Sequence, residues 1–401
     1  MLLVVLAGNF ALLWLGISLT TLTTAFLVGY SGEAVALEAA WKYLVLCSVG
    51  IALALLGIVV LAHVAIASGV RVDRALSWVS IAAHAPSPPP ALARLAVGLM
   101  VIGFATKAGL VPMHAWLPDA HSKAPAPISA LLSGVLVSCA LYAIMRTVGV
   151  AETLGVGSFA QEMLISLGVA STIVAGALML AQRDLKRLLA YSTIEHAGIV
   201  ALALGFGGPL GFFAALFHLI NHAFAKSGAF FAAGLVQRQR NTTSLGELQG
   251  LWESGASGRL LLAAVVAISG MPPFGLFLSE LLVVAAGMVA HRWVPLGLGL
   301  FGMILAFSAL SRAAIGIESG RAKPIRRAAA DQRTTTEVQQ PPLPSGARLI
   351  PRAREKLEHP AWRLSSLATT TVLVGSLFLA ATPWTQLAAP LQAVAQAMGA
   401  P

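Results

Sequence analysis

The sequence predicts an all-α polytopic membrane protein with about ten transmembrane helices, two of them broken. Three observations lead to it. Hydrophobic residues make up 57% of the 401 and charged residues only 10%, with a mean hydropathy of +0.82, far from the balance of water-soluble domains. Apolar stretches of about 20 residues or more, each able to cross a hydrocarbon core of about 30 Å as a helix, recur along almost the whole chain. Two of those stretches hold prolines close to ionisable residues.

In order, the spans run approximately Asn9 to Val28, Trp41 to Ala67, Ala91 to Trp116, Pro127 to Val148, Phe159 to Ala181, Arg187 to Phe206, Leu210 to Val236, Gly258 to Ala290, Trp293 to Ile317 and Leu364 to Pro383. They divide the chain into a transmembrane core over residues 1–317, a basic, proline-rich loop over 318–363 with its turn at Pro341 to Pro344, and a last helix with its tail over 364–401. The opening MLLVVLAGNF lacks a basic leader and a small-residue cleavage site, so it reads as mature protein. Cys47 and Cys139 both lie inside apolar spans, which leaves a disulfide framework, an iron–sulfur cluster and a structural zinc site without ligands. No cofactor is expected in this chain.

The net charge of +10 does not point to nucleic acid, because the basic residues follow topology. Alternating the loops places most of the 26 Lys and Arg on one face, including Arg183, Lys186, Arg187, Arg238, Arg240 and the stretch Arg321 to Arg363. By the positive-inside rule that face is cytoplasmic, and the C-terminus is extracytoplasmic. The sequon at Asn241 falls on the cytoplasmic side and is read as chance. Gly297, Gly299 and Gly302 match a dinucleotide fingerprint but sit within one membrane helix with no preceding strand, so nucleotide binding is rejected.

The breaks are Pro112 within LVPMHAWLPDAH and Pro272–Pro273 within SGMPPFGLFLSE, with Lys107 and Glu280 beside them. Opening a membrane helix exposes backbone groups at a cost of several kcal/mol, tolerable where protein or a water-filled cavity satisfies them. Two such breaks suggest an internal repeat with ion sites at its centre; the alternative is a simple kink. Lys107 has no neighbour in sequence and is expected to find a carboxylate or water across the bundle.

In FHLINHAFAKSGAFF, residues His218, His222 and Lys226 recur every four residues, which lines them along one helix face about 6 Å apart. Each ionisable group in a membrane helix costs roughly 2.5–3.5 kcal/mol on insertion scales and turns to the bundle interior, so three in a row favour a proton relay. Metal binding by the histidines and structural hydrogen bonding remain alternatives. Glu195 and His196 lie near the middle of the sixth span and are read in the same way, whereas His63, His84 and His291 sit near helix ends or in loops.

The stretches GFATKAGLVPMHAWLPDAHSKAPAPISALLSG, AQRDLKRLLAYSTIEHAG, FHLINHAFAKSGAFFAAG and SGMPPFGLFLSELL resemble the proton-antiporter-like family of respiratory complex I, multisubunit cation/proton antiporters and group 4 hydrogenases. TIEHAG together with EAAWKYLVLCSVG is most similar to the component F branch of the hydrogenase-4 group. The resemblance implies a fourteen-helix protein with inverted five-helix repeats, joined from about its fifth helix. It implies proton-transfer roles for Lys107, Lys186, His218, His222, Lys226 and Glu280, which join Glu195 and His196 as candidates. Lys107 matches the lysine of the first broken helix, Lys186 the lysine at the start of the following repeat, and Glu280 the terminal acid. Ser18 stands where relatives carry the glutamate partner of that first lysine, and Ser138 where they carry a basic residue or Asn.

The function so implied is that of a proton-translocating, non-catalytic membrane subunit of a hydrogenase-type redox complex in a prokaryotic inner membrane. Its partners would be the lipid bilayer and other membrane and hydrophilic subunits, which would hold nickel–iron and iron–sulfur centres. The alternatives are a cation/proton antiporter component, with or without further subunits, and a scaffold whose relay has decayed, to which Ser18 would testify.

Overall fold

The computed structural model describes residues 1–84, 88–319 and 360–381, with isolated positions at 389 and 393. The loop expected over residues 318–363 and the tail beyond residue 381 fall almost wholly outside them. Among the described residues there are helices and one isolated bridge between Asp184 and Ser244. A short α1 (Leu2–Leu6) packs on α2 (Phe10–Val28), which Asn9 caps by accepting the N–H of Leu12 at 2.9 Å. After α3 (Ala34–Ala67) and the short α4 (Trp78–His84), the first broken span follows as α5 (Pro90–Ala108) and α6 (Trp116–Lys123).

Helix α7 (Ala126–Leu131) passes through a π-helical turn, Leu132–Leu136, into α8 (Val137–Thr153). Then come α9 (Gly157–Ala181), α10 (Leu185–Phe206) and α11 (Gly208–Arg240). The second broken span is α12 (Ala256–Ile268) and α13 (Gly275–Val289), followed by α14 (Trp293–Ser319) and α15 (Pro360–Ala381). Eight of these helical segments are long and apolar enough to cross a membrane.

Each of the ten expected stretches overlaps helix among the described residues, the last only as far as Ala381, and two differ in detail. The third span is not one helix to Trp116: α5 stops at Ala108, and Trp116 opens α6. The second begins seven residues before Trp41, at Ala34, where Glu38 and Lys42 pair at 2.7 Å one turn apart and let the helix run on past the apolar stretch. Both breaks have the same local cause. Gly109 (φ 76°) and Gly270 (φ 68°) take the left-handed conformation that ends a helix, and a proline follows within a few residues.

At the centre lies α10, with every residue from Leu185 to Phe206 buried except Arg187. Helices α6, α8, α9, α11, α13 and α14 surround it. Glycines permit the closest approaches. A Cβ on Gly198 would meet Ser171 Cβ at 2.8 Å, and one on Gly168 would meet the Gly198 carbonyl at 2.8 Å, so α9 and α10 touch through their backbones. A Cβ on Gly302 of α14 would lie 2.5 Å from the Thr172 carbonyl carbon of α9, and one on Gly299 would lie 2.7 Å from Leu202 of α10. Gly299 and Gly302 thus serve packing within a continuous helix. Asp184 caps α10 on the N–H of Arg187 at 2.9 Å and accepts the hydroxyl of Thr243, pinning the loop after α11 to the start of α10.

Helices α3 and α5 approach as closely, because a Cβ on Gly103 would lie 2.5 Å from the Ala54 nitrogen and the Gly50 carbonyl. Gly103→Val should therefore destabilise the fold by about 1–3 kcal/mol through overpacking. Thermal unfolding in detergent checks this, with Gly297→Ala, whose Cβ would meet nothing within 4 Å, as the control expected to melt like the parent.

Candidate functional site

Six of the eight ionisable residues singled out in the sequence come together where α10, α11 and the second broken span meet. His196 of α10 reaches His218 of α11, Nδ1 to Nε2, at 3.1 Å, while its Nε2 faces the Ile268 carbonyl at the end of α12 at 3.1 Å. His218 Nδ1 faces Ser279 Oγ of α13 at 2.9 Å, and that hydroxyl also lies 2.8 Å from the Leu276 carbonyl. The His222 ring centre is 5.2 Å from that of His196 and 6.5 Å from that of His218. The stripe on α11 is therefore real, but His196 from the neighbouring helix bridges its two histidines.

These contacts admit two proton arrangements. In one, Ser279 donates to His218 Nδ1, His218 Nε2–H donates to His196 Nδ1, and His196 Nε2–H donates to Ile268; both rings are neutral. In the other, Ser279 donates to Leu276 and accepts from His218 Nδ1–H, while the proton between His218 Nε2 and His196 Nδ1 rests on either ring. The second holds one proton more than the first. It arises when a proton arrives at His218 Nδ1 and the Nε2 proton moves to His196. The pair can thus take up a proton at one ring and present it at the other.

Groups suited to exchange flank the pair on both sides. Lys226 Nζ donates to the Ser192 hydroxyl and, at 3.2 Å, to the Leu189 carbonyl, one turn of α10 before Glu195. Glu195 Oε2 lies 3.7 Å from His196 Nε2. Glu195, His196 and Glu280 line one cavity of about 260 Å³, with Ser269 and Gly270 of the break at its edge. The missing side chain of Gly270 leaves room for the Glu280 carboxylate.

Lys107 and Lys186 stand apart from this cluster. Lys186 is buried, donates to the Ala124 carbonyl at 2.5 Å, and lines a cavity of about 560 Å³ with Glu33, Lys123, Asp184 and Arg187. That cavity lies on the arginine-rich face, where Asp119 approaches Lys42 at 3.5 Å and Arg187 at 3.3 Å. Lys107, expected to find a carboxylate or water, instead donates to the phenol of Tyr43 at 2.5 Å. Ser18 donates its hydroxyl back to the Trp14 carbonyl at 2.9 Å.

Several residues that complete the arrangement carry little signal in the sequence. His121 is fully buried between the Trp116 and Phe230 rings, with centroids at 6.5 and 5.4 Å, and neither ring nitrogen has a partner among the described residues. It occupies the interval between the Lys107 and Lys226 sides. It stands in LVPMHAWLPDAH, but beyond the expected end of the span at Trp116. Tyr43 and Ser279 offer less still, a hydroxyl in an apolar helix that needs a partner. Among the described residues no three His, Cys, Asp or Glu side chains gather as a metal site, and Cys47 and Cys139 are free and buried.

A family model described as NADH:quinone oxidoreductase/Mrp antiporter, TM, matches residues 7–306. The chain belongs to this family. A hydrogenase-4 component F homolog from Methylacidiphilum infernorum is 38% identical over 328 residues, covering 80% of this chain and 68% of that protein. Hydrogenase-4 component B of Escherichia coli is 36% identical over 48% of this chain and 30% of its own length. A probable K(+)/H(+) antiporter component from Rhizobium meliloti is 32% identical over 73% of this chain and 28% of its own length. This chain therefore spans about two thirds of the first relative and less than a third of the other two. In fold it is similar to a chain of the archaeal membrane-bound sulfane sulfur reductase (TM-score 0.77, 23% identity, 99% of this chain and 73% of that one). It is likewise similar to a chain of the Mrp complex from Dietzia (TM-score 0.79, 21% identity, 98% and 75%). It is a multi-pass membrane protein.

Ser279→Ala removes the hydroxyl that accepts a proton from His218 Nδ1. The arrangement carrying that Nδ1–H should then be disfavoured by about 1–3 kcal/mol, the penalty of an unpartnered buried donor. Nitrogen-15 spectra of labelled histidine should show His218 confined to its Nε2–H form at every pH where the parent shows both. Spectra identical to the parent would refute the assignment.

Proposed function

We propose that this chain is the proton-translocating membrane subunit of a hydrogenase-type, complex I-like redox complex. The observation that carries the reading is the buried His196–His218 pair, which joins α10, α11 and both halves of the second broken span and has Lys226 on one side and Glu280 on the other. The similarity to hydrogenase-4 components B and F supports the hydrogenase-type assignment. In this reading, redox chemistry takes place in partner subunits carrying nickel–iron and iron–sulfur centres, and this chain moves protons without itself being the catalyst.

The proton enters at Lys186 on the arginine-rich face, crosses by way of Lys226, His222 and the histidine pair, and leaves through Glu195 and Glu280. His121 lies between this route and Lys107. Bound water completes the step at His222 Nε2 and the side branch at His121, where ring nitrogens lack a protein partner among the described residues. The second reading, a cation/proton antiporter component, draws on the similarity to the K(+)/H(+) antiporter relative and differs in one measurable respect. Its proton flux would require Na⁺ or K⁺ on the opposite side of the membrane.

Lys226→Ala removes a titratable group without adding bulk, so it should abolish proton uptake while leaving the complex assembled. The measurement uses the complex purified through this chain, reconstituted in vesicles and driven by a potassium diffusion potential, with an internal pH dye. Glu280→Gln should impair uptake more than Lys107→Ala, because the acid lies at the end of the histidine path and the lysine feeds that path only from the side, by way of His121. Parental flux in Lys226→Ala would end the transport reading.

We further place the chain in a prokaryotic inner membrane, with the arginine-rich face cytoplasmic and the C-terminus outside. A reporter fused after Pro401 should be active extracytoplasmically, and one inserted near Gln339 cytoplasmically. The reverse pattern would invert the assignment.

A further inference from the structure

Lys107 lies buried within the first broken span, where a lysine needs something to hold it. It forms no ion pair among the described residues. The titratable groups facing it are Tyr43 and Cys47 of α3 and Cys139 of α8. What it does form is the first link of a directional chain of hydroxyl groups. Lys107 Nζ donates to Tyr43 at 2.5 Å, the Tyr43 phenol lies 2.6 Å from Thr24 Oγ1, and Thr24 donates to the Thr20 carbonyl at 2.5 Å. With the threonine proton committed to that carbonyl, the phenol must donate to Thr24 and accept from the lysine.

This direction matters because a carbonyl has no proton to pass on. The chain ends on backbone and conducts nothing, so its action on Lys107 is to hold it. The 4.5 Å from Nζ to the Tyr43 ring centre is what a hydrogen bond to the phenol oxygen already imposes, and is not a separate attraction. Tyr43 is in turn fixed by Trp116, whose ring centre is 4.8 Å away and whose indole N–H donates to the Thr106 carbonyl at 2.8 Å. Ser18 lies on α2, the same helix as Thr24, which receives the phenol.

We propose that Tyr43, held by Thr24, is the positioning partner of Lys107 in place of a carboxylate, so that the first broken helix keeps its lysine through a hydroxyl chain and not through an ion pair. Protons reach or leave Lys107 only on the side away from Tyr43, toward Trp116 and His121. This proposal rests on the transport reading above.

The test is proton uptake by the reconstituted complex, driven by a potassium diffusion potential, for Tyr43→Phe, Lys107→Ala, the double variant, and Tyr43→Phe combined with Ser18→Glu. Phenylalanine keeps the ring packed on Trp116, so assembly should be preserved. Tyr43→Phe should lower uptake roughly three- to tenfold, the effect of one lost hydrogen bond, to the level of Lys107→Ala. The double variant should go no lower, because tyrosine acts through the lysine, and Ser18→Glu should restore at least half of the lost rate. Uptake at the parental rate in Tyr43→Phe, a further fall in the double variant, or no recovery with Ser18→Glu would each overturn the proposal. Lys226→Ala, run beside them, separates the two readings: if it abolishes flux while Tyr43→Phe does nothing, only the role of Tyr43 fails.

Discussion

The arrangement depends on keeping α10 out of lipid. Glu195 and His196 lie near its middle, and each would cost roughly 2.5–3.5 kcal/mol if turned to hydrocarbon. Protein surrounds the helix on all sides: backbone contact through Gly168 and Gly198 brings α9 against it, and Gly302 and Gly299 of α14 pack closely on α9 and on Leu202 of α10. Once α10 is enclosed, its polar groups must find partners on α11, α12 and α13. The histidine pair, the Lys226–Ser192 bond and the cavity at Glu280 follow from that requirement.

Broken helices supply what continuous ones cannot. An intact helix spends its carbonyls on its own N–H groups, whereas the end of α12 leaves the Ile268 carbonyl free to face His196. Ser279 sits in the first turns of α13 and can exchange between the Leu276 carbonyl and His218. At the first break the same local geometry is used differently: α5 ends just beyond Lys107, and the lysine is tied to α3 and α2. The two breaks thus share a construction but meet their surroundings by different means, the second through the histidine pair and the first through hydroxyl groups.

Most of the fold is legible in the sequence because hydropathy alone marks helices that must face lipid. Glycine beside proline marks both breaks, and spacing marks His218, His222 and Lys226. Lateral pairing leaves no such trace. Nothing in the sequence says that His196 inserts between two histidines of another helix, or that Tyr43, 64 positions away, accepts a hydrogen bond from Lys107. His121 is hidden for a simpler reason: it lies in a short helix within the break, where the apolar pattern that defines a span has already ended.

The enclosure of α10 also bears on how the chain is made. A helix opening with Lys186 and Arg187 and carrying Glu195 and His196 at its middle is a poor candidate to partition into the bilayer by itself as it leaves the ribosome. Helix α11 follows with two histidines and a lysine, and only Gly207 separates it from α10. The two must therefore enter together, as a hairpin already leaning on the glycine face of α9, or wait beside the insertion machinery until it is available. The glycines that bring the helices close in the finished protein would then also be what permits its most polar segments to be inserted at all.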